Sequence, residues 1–145
     1  MDATRRRILT VHGSILLPLG LANALLSTLG TFRGVGPMSY LAGQPLLHIG
    51  LLQAYLLAAL LGAVLLLGAR QPRPVVFDWI GALTHLAILT VYVLHWEAFP
   101  SVAPGFENVR AFGLVHLALA TLELWAIFGP LGRRLPRAAG VGSRA

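Results

Sequence analysis

Four long apolar runs dominate the pattern of hydrophobic and polar positions along this 145-residue chain. They cover about residues 8–29, 45–68, 79–99 and 111–131, separated by connectors that contain glycine, proline and arginine. Each run is long enough to cross the ~30 Å hydrocarbon core of a bilayer at ~1.5 Å per residue. The pattern predicts an all-α protein, an integral membrane four-helix up-and-down bundle that forms a single transmembrane domain over residues 1–145.

The composition supports a membrane protein and limits the chemistry available to it. Hydrophobic residues make up 57% of the chain and charged residues 11%, whereas soluble domains carry about 25% charged residues. There is no cysteine, which excludes disulfides, thiolate metal sites and covalent haem attachment. Any metal or cofactor must therefore be held by histidine, carboxylate or backbone groups.

Arginine supplies all eleven cationic side chains, and its distribution predicts an orientation. The arginines stand in short tracts beside the apolar runs, so the net charge of +6 indicates contact with the lipid bilayer rather than with nucleic acid. Arginine-rich loops stay on the cytoplasmic side of a membrane. We therefore expect a protein of the inner (plasma) membrane with both termini, including the basic tail at residues 132–145, in the cytoplasm. Nine arginines lie on that side (Arg5, Arg6, Arg7, Arg70, Arg73, Arg133, Arg134, Arg137, Arg144), and Arg33 and Arg110 lie on the other.

Each apolar run contains a histidine within its hydrophobic sequence, and polar residues share its helical face. Ionisable side chains inside a membrane are unfavourable, so they usually face the bundle interior or a cavity. Residues seven or eleven apart lie on nearly the same face of a helix, so one inward-facing polar stripe is predicted on each helix. The stripes are His12 with Asn23, His48 with Tyr55, His85 with Asp78, Tyr92 and Trp96, and His116 with Glu123.

The depths of the four histidines predict two pairs across the diagonals of the bundle. His12 and His85 enter their spans from the cytoplasmic side, whereas His48 and His116 enter theirs from the outer side. Neutral imidazole is a good ligand for iron, and two axial imidazoles on facing helices can hold a porphyrin between them. The sequence therefore predicts one or two haem b groups, with His12 and His85 ligating an inner iron and His48 and His116 an outer one.

This arrangement of histidines on four spans resembles small four-helix cytochrome b subunits, which pass electrons between a quinone pool and a partner. The resemblance implies an electron-transfer or membrane-anchor subunit with other membrane or soluble redox subunits as partners, rather than a stand-alone enzyme. The chain departs from cytochrome b proteins in one respect, because it lacks their long His–His spacing within a helix. Its only such pair, His85 and His95, is rotated by about 80° around the helix.

His95 has two interpretations. It stands beside Trp96 and Glu97 near the outer end of the third run, where aromatic residues often mark the membrane interface. Alternatively, His95 joins His48 and His116 in a three-histidine cluster, a donor set that suits copper or zinc.

Two acidic residues complete the set of candidates. Glu123 lies near mid-membrane without a cationic residue at the centre of any span, and an unpaired charge there is strongly unfavourable. It could act as a proton relay, as a hydrogen-bonding group in a quinone site or as an orienter of a haem ligand, or it could be neutral and bonded to Tyr55, Asn23 or a backbone carbonyl. Asp78 is predicted to cap the third helix.

Three functions thus remain open from the sequence. The first is the haem-binding electron-transfer or anchor subunit. The second is a non-enzymatic accessory or assembly subunit in which the polar stripes only hold helices together. The third is a small transporter of protons or metal ions that works through Glu123 and the outer histidines.

Overall fold

The structure, a computed structural model, describes residues 2–95, 97 and 109–129, and all regular secondary structure in this part of the chain is helical. Four α-helices are present there, α1 (Asp2–Arg33), α2 (Pro45–Gly68), α3 (Val75–His95) and α4 (Val109–Phe128), with a short 3-10 helix at Ser39–Leu41. All four are long and apolar enough to cross a membrane. The all-α class is confirmed, and the four helices indicate a multi-pass membrane protein.

Each helix covers most of one predicted run, but three of the four helices begin and end at other residues than predicted. α2 has the predicted bounds, but α1 begins at Asp2 and α3 at Val75, several residues before the apolar runs start. Arginine is a good helix former, so the tract Arg5–Arg7 continues α1. α3 starts directly after Pro74, whose carbonyl accepts the backbone N–H groups of Phe77 and Asp78. The tail at residues 132–145 lies outside the described residues.

The helices pack as two pairs, α1 with α2 and α3 with α4, with less extensive contact between the pairs. Small residues bring α1 and α2 close together. A Cβ added at Gly62 of α2 would lie 2.5 Å from the backbone nitrogen of Leu17 and 3.0 Å from the carbonyl oxygen of Gly13. A Cβ at Gly20 would lie 2.6 Å from the backbone nitrogen of Ala59. Such close approach of backbones at small residues is typical of helix pairs in membranes.

Two adjacent arginines of α1 join the helix pairs at one end, here named the arginine end. Arg5 donates from Nε to the carbonyl oxygen of Ala126 at 3.0 Å, near the end of α4. Arg6 donates to the carbonyl oxygens of Ala69 at 2.6 Å and Gln71 at 2.9 Å, just after α2. Cationic side chains satisfy the unpaired carbonyls of helix C-termini and interact favourably with the helix dipole. The start of α1 and the ends of α2 and α4 therefore meet here.

The surface of the bundle is apolar, as a lipid-facing surface should be. Large hydrophobic side chains are exposed along every helix, among them Leu25, Leu57, Val93 and Leu114. The buried hydrophobic cluster is small and consists of Leu9, Leu65 and Ala69, with partly buried side chains packed against it. Most of the buried polar residues lie between the two helix pairs, where they form the site described next.

A buried histidine–carboxylate chain

Three histidines and a glutamate from three helices form one line of direct contacts, here named the histidine–carboxylate chain (Glu123, His12, His85, His116). Nδ1 of His12 lies 2.6 Å from Oε1 of Glu123. Nε2 of His12 lies 2.8 Å from Nε2 of His85. Nδ1 of His85 lies 2.8 Å from Nδ1 of His116. These are hydrogen-bond distances, so both ring nitrogens of His12 and of His85 are engaged.

Two carboxyl groups meet at the end of this line nearest the arginine end. Asp78 stands three residues before Gly81, against which the Glu123 carboxyl packs, and its Oδ2 lies 3.7 Å from Nε of Arg5. Both carboxyls are fully buried. Among the described residues, both oxygens of Asp78 and Oε2 of Glu123 have no hydrogen-bond donor. Two carboxylates cannot donate to each other, so a hydrogen bond between this pair requires a proton on one of them.

A glycine makes room for the Glu123 carboxyl against α3. A Cβ added at Gly81 would lie 2.7 Å from Oε1 and 2.9 Å from Cδ of Glu123. These distances are shorter than van der Waals contact, so even alanine would displace the carboxyl from its position beside His12. The absence of a side chain at Gly81 is thus part of the site.

The polar groups extend along a large part of the membrane thickness. Asp78, His85 and Tyr92 are spaced by seven residues on α3, so their backbones span about 21 Å along the helix axis. Tyr92 stacks against His116, with ring centroids 5.6 Å apart and an angle of 27° between the ring planes. The groups from Arg5 and Asp78 at one end to Tyr92 at the other therefore cover about two thirds of a ~30 Å hydrocarbon core.

The contacts between imidazoles restrict where the protons can be. A hydrogen bond between two ring nitrogens requires one proton, because two N–H groups cannot accept and two bare nitrogens cannot donate. If Nε2 of His116 is bare, only one arrangement keeps a proton on every ring. His116 then donates from Nδ1 to His85, His85 donates from Nε2 to His12, and His12 donates from Nδ1 to an ionised Glu123.

A proton added at the far end of the chain can reach the carboxylate by short shifts. Protonation of Nε2 converts His116 to an imidazolium. One proton then shifts within each contact in turn. The positive charge moves first to His85 and then to His12, and the last shift neutralises Glu123. Every imidazole ends neutral with its proton on the other nitrogen, so a second proton cannot follow until the first has left. The arrangement is therefore suited to the reversible uptake of one proton.

The structure brings together three of the four histidines predicted as ligands. His12 and His85, the predicted inner pair, are in direct contact. His116 contacts His85 rather than His48, whose ring packs edge-on against Phe32 with centroids 5.7 Å apart. His48 is buried, and its Nδ1 has no hydrogen-bond partner among the described residues.

The remaining candidate residues, Asn23, Tyr55 and His95, make none of the contacts of the histidine–carboxylate chain described above. Asn23 is half-buried on α1, eleven residues beyond His12, and Tyr55 is half-buried on α2. His95 is exposed and is the last residue of α3, a position that agrees with its interpretation as an interfacial residue.

Two residues have roles that differ from those expected. Asp78 does not cap α3, because the helix already begins at Val75 and neither carboxyl oxygen accepts a backbone N–H. Its carboxyl instead faces Arg5 and Glu123. Arg5 was predicted only as a topology signal, yet it is buried and contacts two other helices. Its position in an arginine tract gave no indication of this, because Arg7 in the same tract is exposed.

The site as arranged does not fit an iron between His12 and His85. Imidazole nitrogens bind metal ions at about 2.0–2.1 Å, so two axial nitrogens on one metal are about 4 Å apart. The facing nitrogens here are 2.8 Å apart and the rings are stacked, with an angle of 20° between their planes. Nor does any group of three or more histidine, aspartate or glutamate side chains within residues 2–95, 97 and 109–129 have the geometry of a metal site. Haem ligation stays a prediction of the sequence.

Comparison of the chain with protein families, with curated proteins and with solved structures found no match in any of the three.

Proposed function

We propose that this protein takes up and relays protons within a membrane through the histidine–carboxylate chain. In this proposal the helices form an up-and-down bundle in the inner membrane of the cell, with the arginine end and both termini in the cytoplasm, as the arginine distribution predicts. The observation that carries the proposal is the unbroken sequence of three hydrogen-bond contacts from His116 to Glu123. This is the proton-handling form of the transporter hypothesis.

The chemistry of these groups favours protons over the other candidates. Imidazole exchanges its proton in the physiological pH range and can donate on one side while it accepts on the other. Chains of histidine and carboxylate inside membranes are typical of proton relays. Since His12 and His85 use both ring nitrogens on each other and on their neighbours, neither has a free nitrogen for iron or another metal.

Glu123→Gln is the direct test of this function. Glutamine preserves the size of the side chain but cannot act as the final proton acceptor, so the reconstituted variant should take up about one proton fewer per protein after an acid step. The protonated-carboxyl band in the infrared difference spectrum should also be lost. Both quantities can be measured on protein in liposomes, with a pH indicator and by infrared spectroscopy.

Glu97→Gln is the matched control, because Glu97 is exposed beyond the end of α3. This variant should keep both signals of the wild type. If the two variants take up equal numbers of protons, the histidine–carboxylate chain does not carry protons. The polar side chains would then only hold the helices together, as expected of an accessory or assembly subunit.

The visible spectrum of the purified protein separates this function from the haem hypothesis. Because the contacting nitrogens of His12 and His85 are too close for an iron between them, we expect no Soret band after expression in haem-replete cells. A stoichiometric Soret band that is lost in His12→Phe would instead restore the electron-transfer hypothesis.

A further inference from the structure

One end of the histidine–carboxylate chain is closed by a fixed positive charge. Arg5 is 8% exposed and donates to the carbonyl oxygens of Ala126 at 3.0 Å and Ile127 at 3.4 Å. The same guanidinium lies 3.7 Å from Asp78. Arginine does not release its proton in proteins, so it cannot pass one onward. Its charge also repels a proton that would leave the Asp78–Glu123 carboxyl pair toward the arginine end.

Hydrocarbon side chains add to this closure. Leu9 lies one turn from Arg5 on α1 and is fully buried with Leu65 and Ala69 of the adjoining α2 end. Phe77, next to Asp78 in the sequence, packs against the same cluster. The side chains of this cluster are hydrocarbon, so they supply no group that could continue the relay.

The opposite end has hydroxyl groups instead. Tyr92 stacks on His116, and Tyr55 is half-buried on α2. Tyr40 belongs to the 3-10 helix between α1 and α2, outside the spans. Burial raises the pKa of Tyr40, so its hydroxyl keeps its proton and can both donate and accept. These are all three tyrosines of the chain.

We infer that the chain exchanges protons with only one side of the membrane, the side of Tyr40, and that Arg5 closes it on the other side. This inference rests on the proposed function and adds the side of the membrane from which protons enter and leave. A hydronium ion on the Tyr40 side gives its proton to Nε2 of His116 and leaves as water, and the relay ends with Glu123 as a neutral acid. The proton returns by the same path.

Charged and titratable groups from all the packed helices contribute to this behaviour. α1 supplies Arg5 and His12, α3 supplies Asp78, His85 and Tyr92, α4 supplies Glu123 and His116, and α2 supplies Tyr55. Arg5 is the only arginine among them, and it lies beyond the carboxyl pair as seen from His116. A proton that enters at His116 therefore comes close to the charge of Arg5 only when it reaches Glu123.

The first test measures the side from which wild-type protein is protonated. The protein is reconstituted in liposomes, and its orientation is read from a single Arg70→Cys variant with a membrane-impermeant thiol reagent, since the chain has no other cysteine. Acid applied on the Tyr40 side should produce the infrared signal of protonated Glu123, whereas acid on the arginine side should not. Equal signals from both sides overturn the inference but leave the proposed function intact. No signal from either side overturns both.

The second test opens the closure. Arg5→Gln removes the charge but keeps an amide that can donate to the α4 carbonyls, so the relay gains an exit beyond Asp78. Proton flux through the liposome membrane should rise at least about tenfold over the wild type, the size of effect expected when a barrier falls by about 1.4 kcal/mol. The double variant that carries Arg5→Gln and Glu123→Gln should lose this additional proton flux.

Arg7→Gln is the control for charge alone, because Arg7 is exposed in the same tract. It should leave the flux at the wild-type value. If Arg5→Gln is no more permeable than Arg7→Gln, Arg5 is not the closure and the inference is wrong. If Arg5→Gln fails to fold, the sidedness of the wild-type signal decides the question.

Discussion

His85→Phe is expected to disconnect Glu123 from the opposite end of the protein and to destabilise the fold. Phenylalanine fills the ring position but has no nitrogen, so Nε2 of His12 and Nδ1 of His116 both lose their partner. Leaving a buried polar group without its partner costs about 1–3 kcal/mol, so the free energy of unfolding should fall by about 2–6 kcal/mol. Proton uptake by Glu123 should slow by about a hundredfold or more, the low end of the contribution of a positioned proton-transfer group.

The measurements are SDS-titration unfolding in mixed micelles and the rate of the infrared carboxyl signal after an acid step. His48→Phe is the matched control, since His48 is also buried but lies outside the chain against Phe32. Because its Nδ1 has no partner to lose, the control should be no less stable than the wild type and should take up protons at the normal rate. Equal effects of the two substitutions would contradict the assignment of the relay to His85.

Gly62→Leu is expected to prevent the close packing of α1 and α2 and to cause a large loss of stability. Its Cβ alone would lie 2.5 Å from a backbone nitrogen of α1, and backbone atoms cannot move aside without separating the helices. Overpacking in a well-packed interior costs about 1–3 kcal/mol and occasionally more. Since the obstacle here is main chain, we expect a loss of at least about 3 kcal/mol in the free energy of unfolding.

Gly50→Leu supplies the comparison on the same helix. A Cβ added at Gly50 meets nothing within 4 Å, and leucine is a better helix former than glycine by up to about 1 kcal/mol. This variant should therefore be as stable as the wild type or slightly more stable. Similar losses for both substitutions in SDS-titration unfolding would show that the α1–α2 contact does not depend on Gly62.

The helical stripes could be predicted from the sequence because they depend only on the spacing within one helix. On α3, the interval of seven residues put Asp78, His85 and Tyr92 on a common face, and on α4 the same interval joined His116 to Glu123. The structure uses both stripes in the same line of polar groups. The bounds of α2 were likewise predictable, because Pro45 and Gly68 mark the limits of a continuous apolar run.

The pairing between helices could not be predicted in the same way. Sequence places a residue along its own helix but leaves open how far that helix is shifted relative to its neighbours. One helical turn is about 5.4 Å, enough to move His116 from the level of His48 to that of His85. The same limit applies to Arg5, whose burial depends on where α4 ends relative to α1. Nor can residue types alone distinguish a histidine that binds iron from one that bonds to another histidine.

The division into two helix pairs implies an order of biogenesis. α1 and α2 pack through small residues, so this hairpin can form as soon as it enters the bilayer. α3 and α4 carry two acidic side chains whose cationic and imidazole neighbours belong to α1. Without α1, those carboxyl groups would lack these partners inside the membrane, a strongly unfavourable state. The first hairpin thus acts as the assembly template for the second, and α3–α4 made alone should be degraded by membrane quality control.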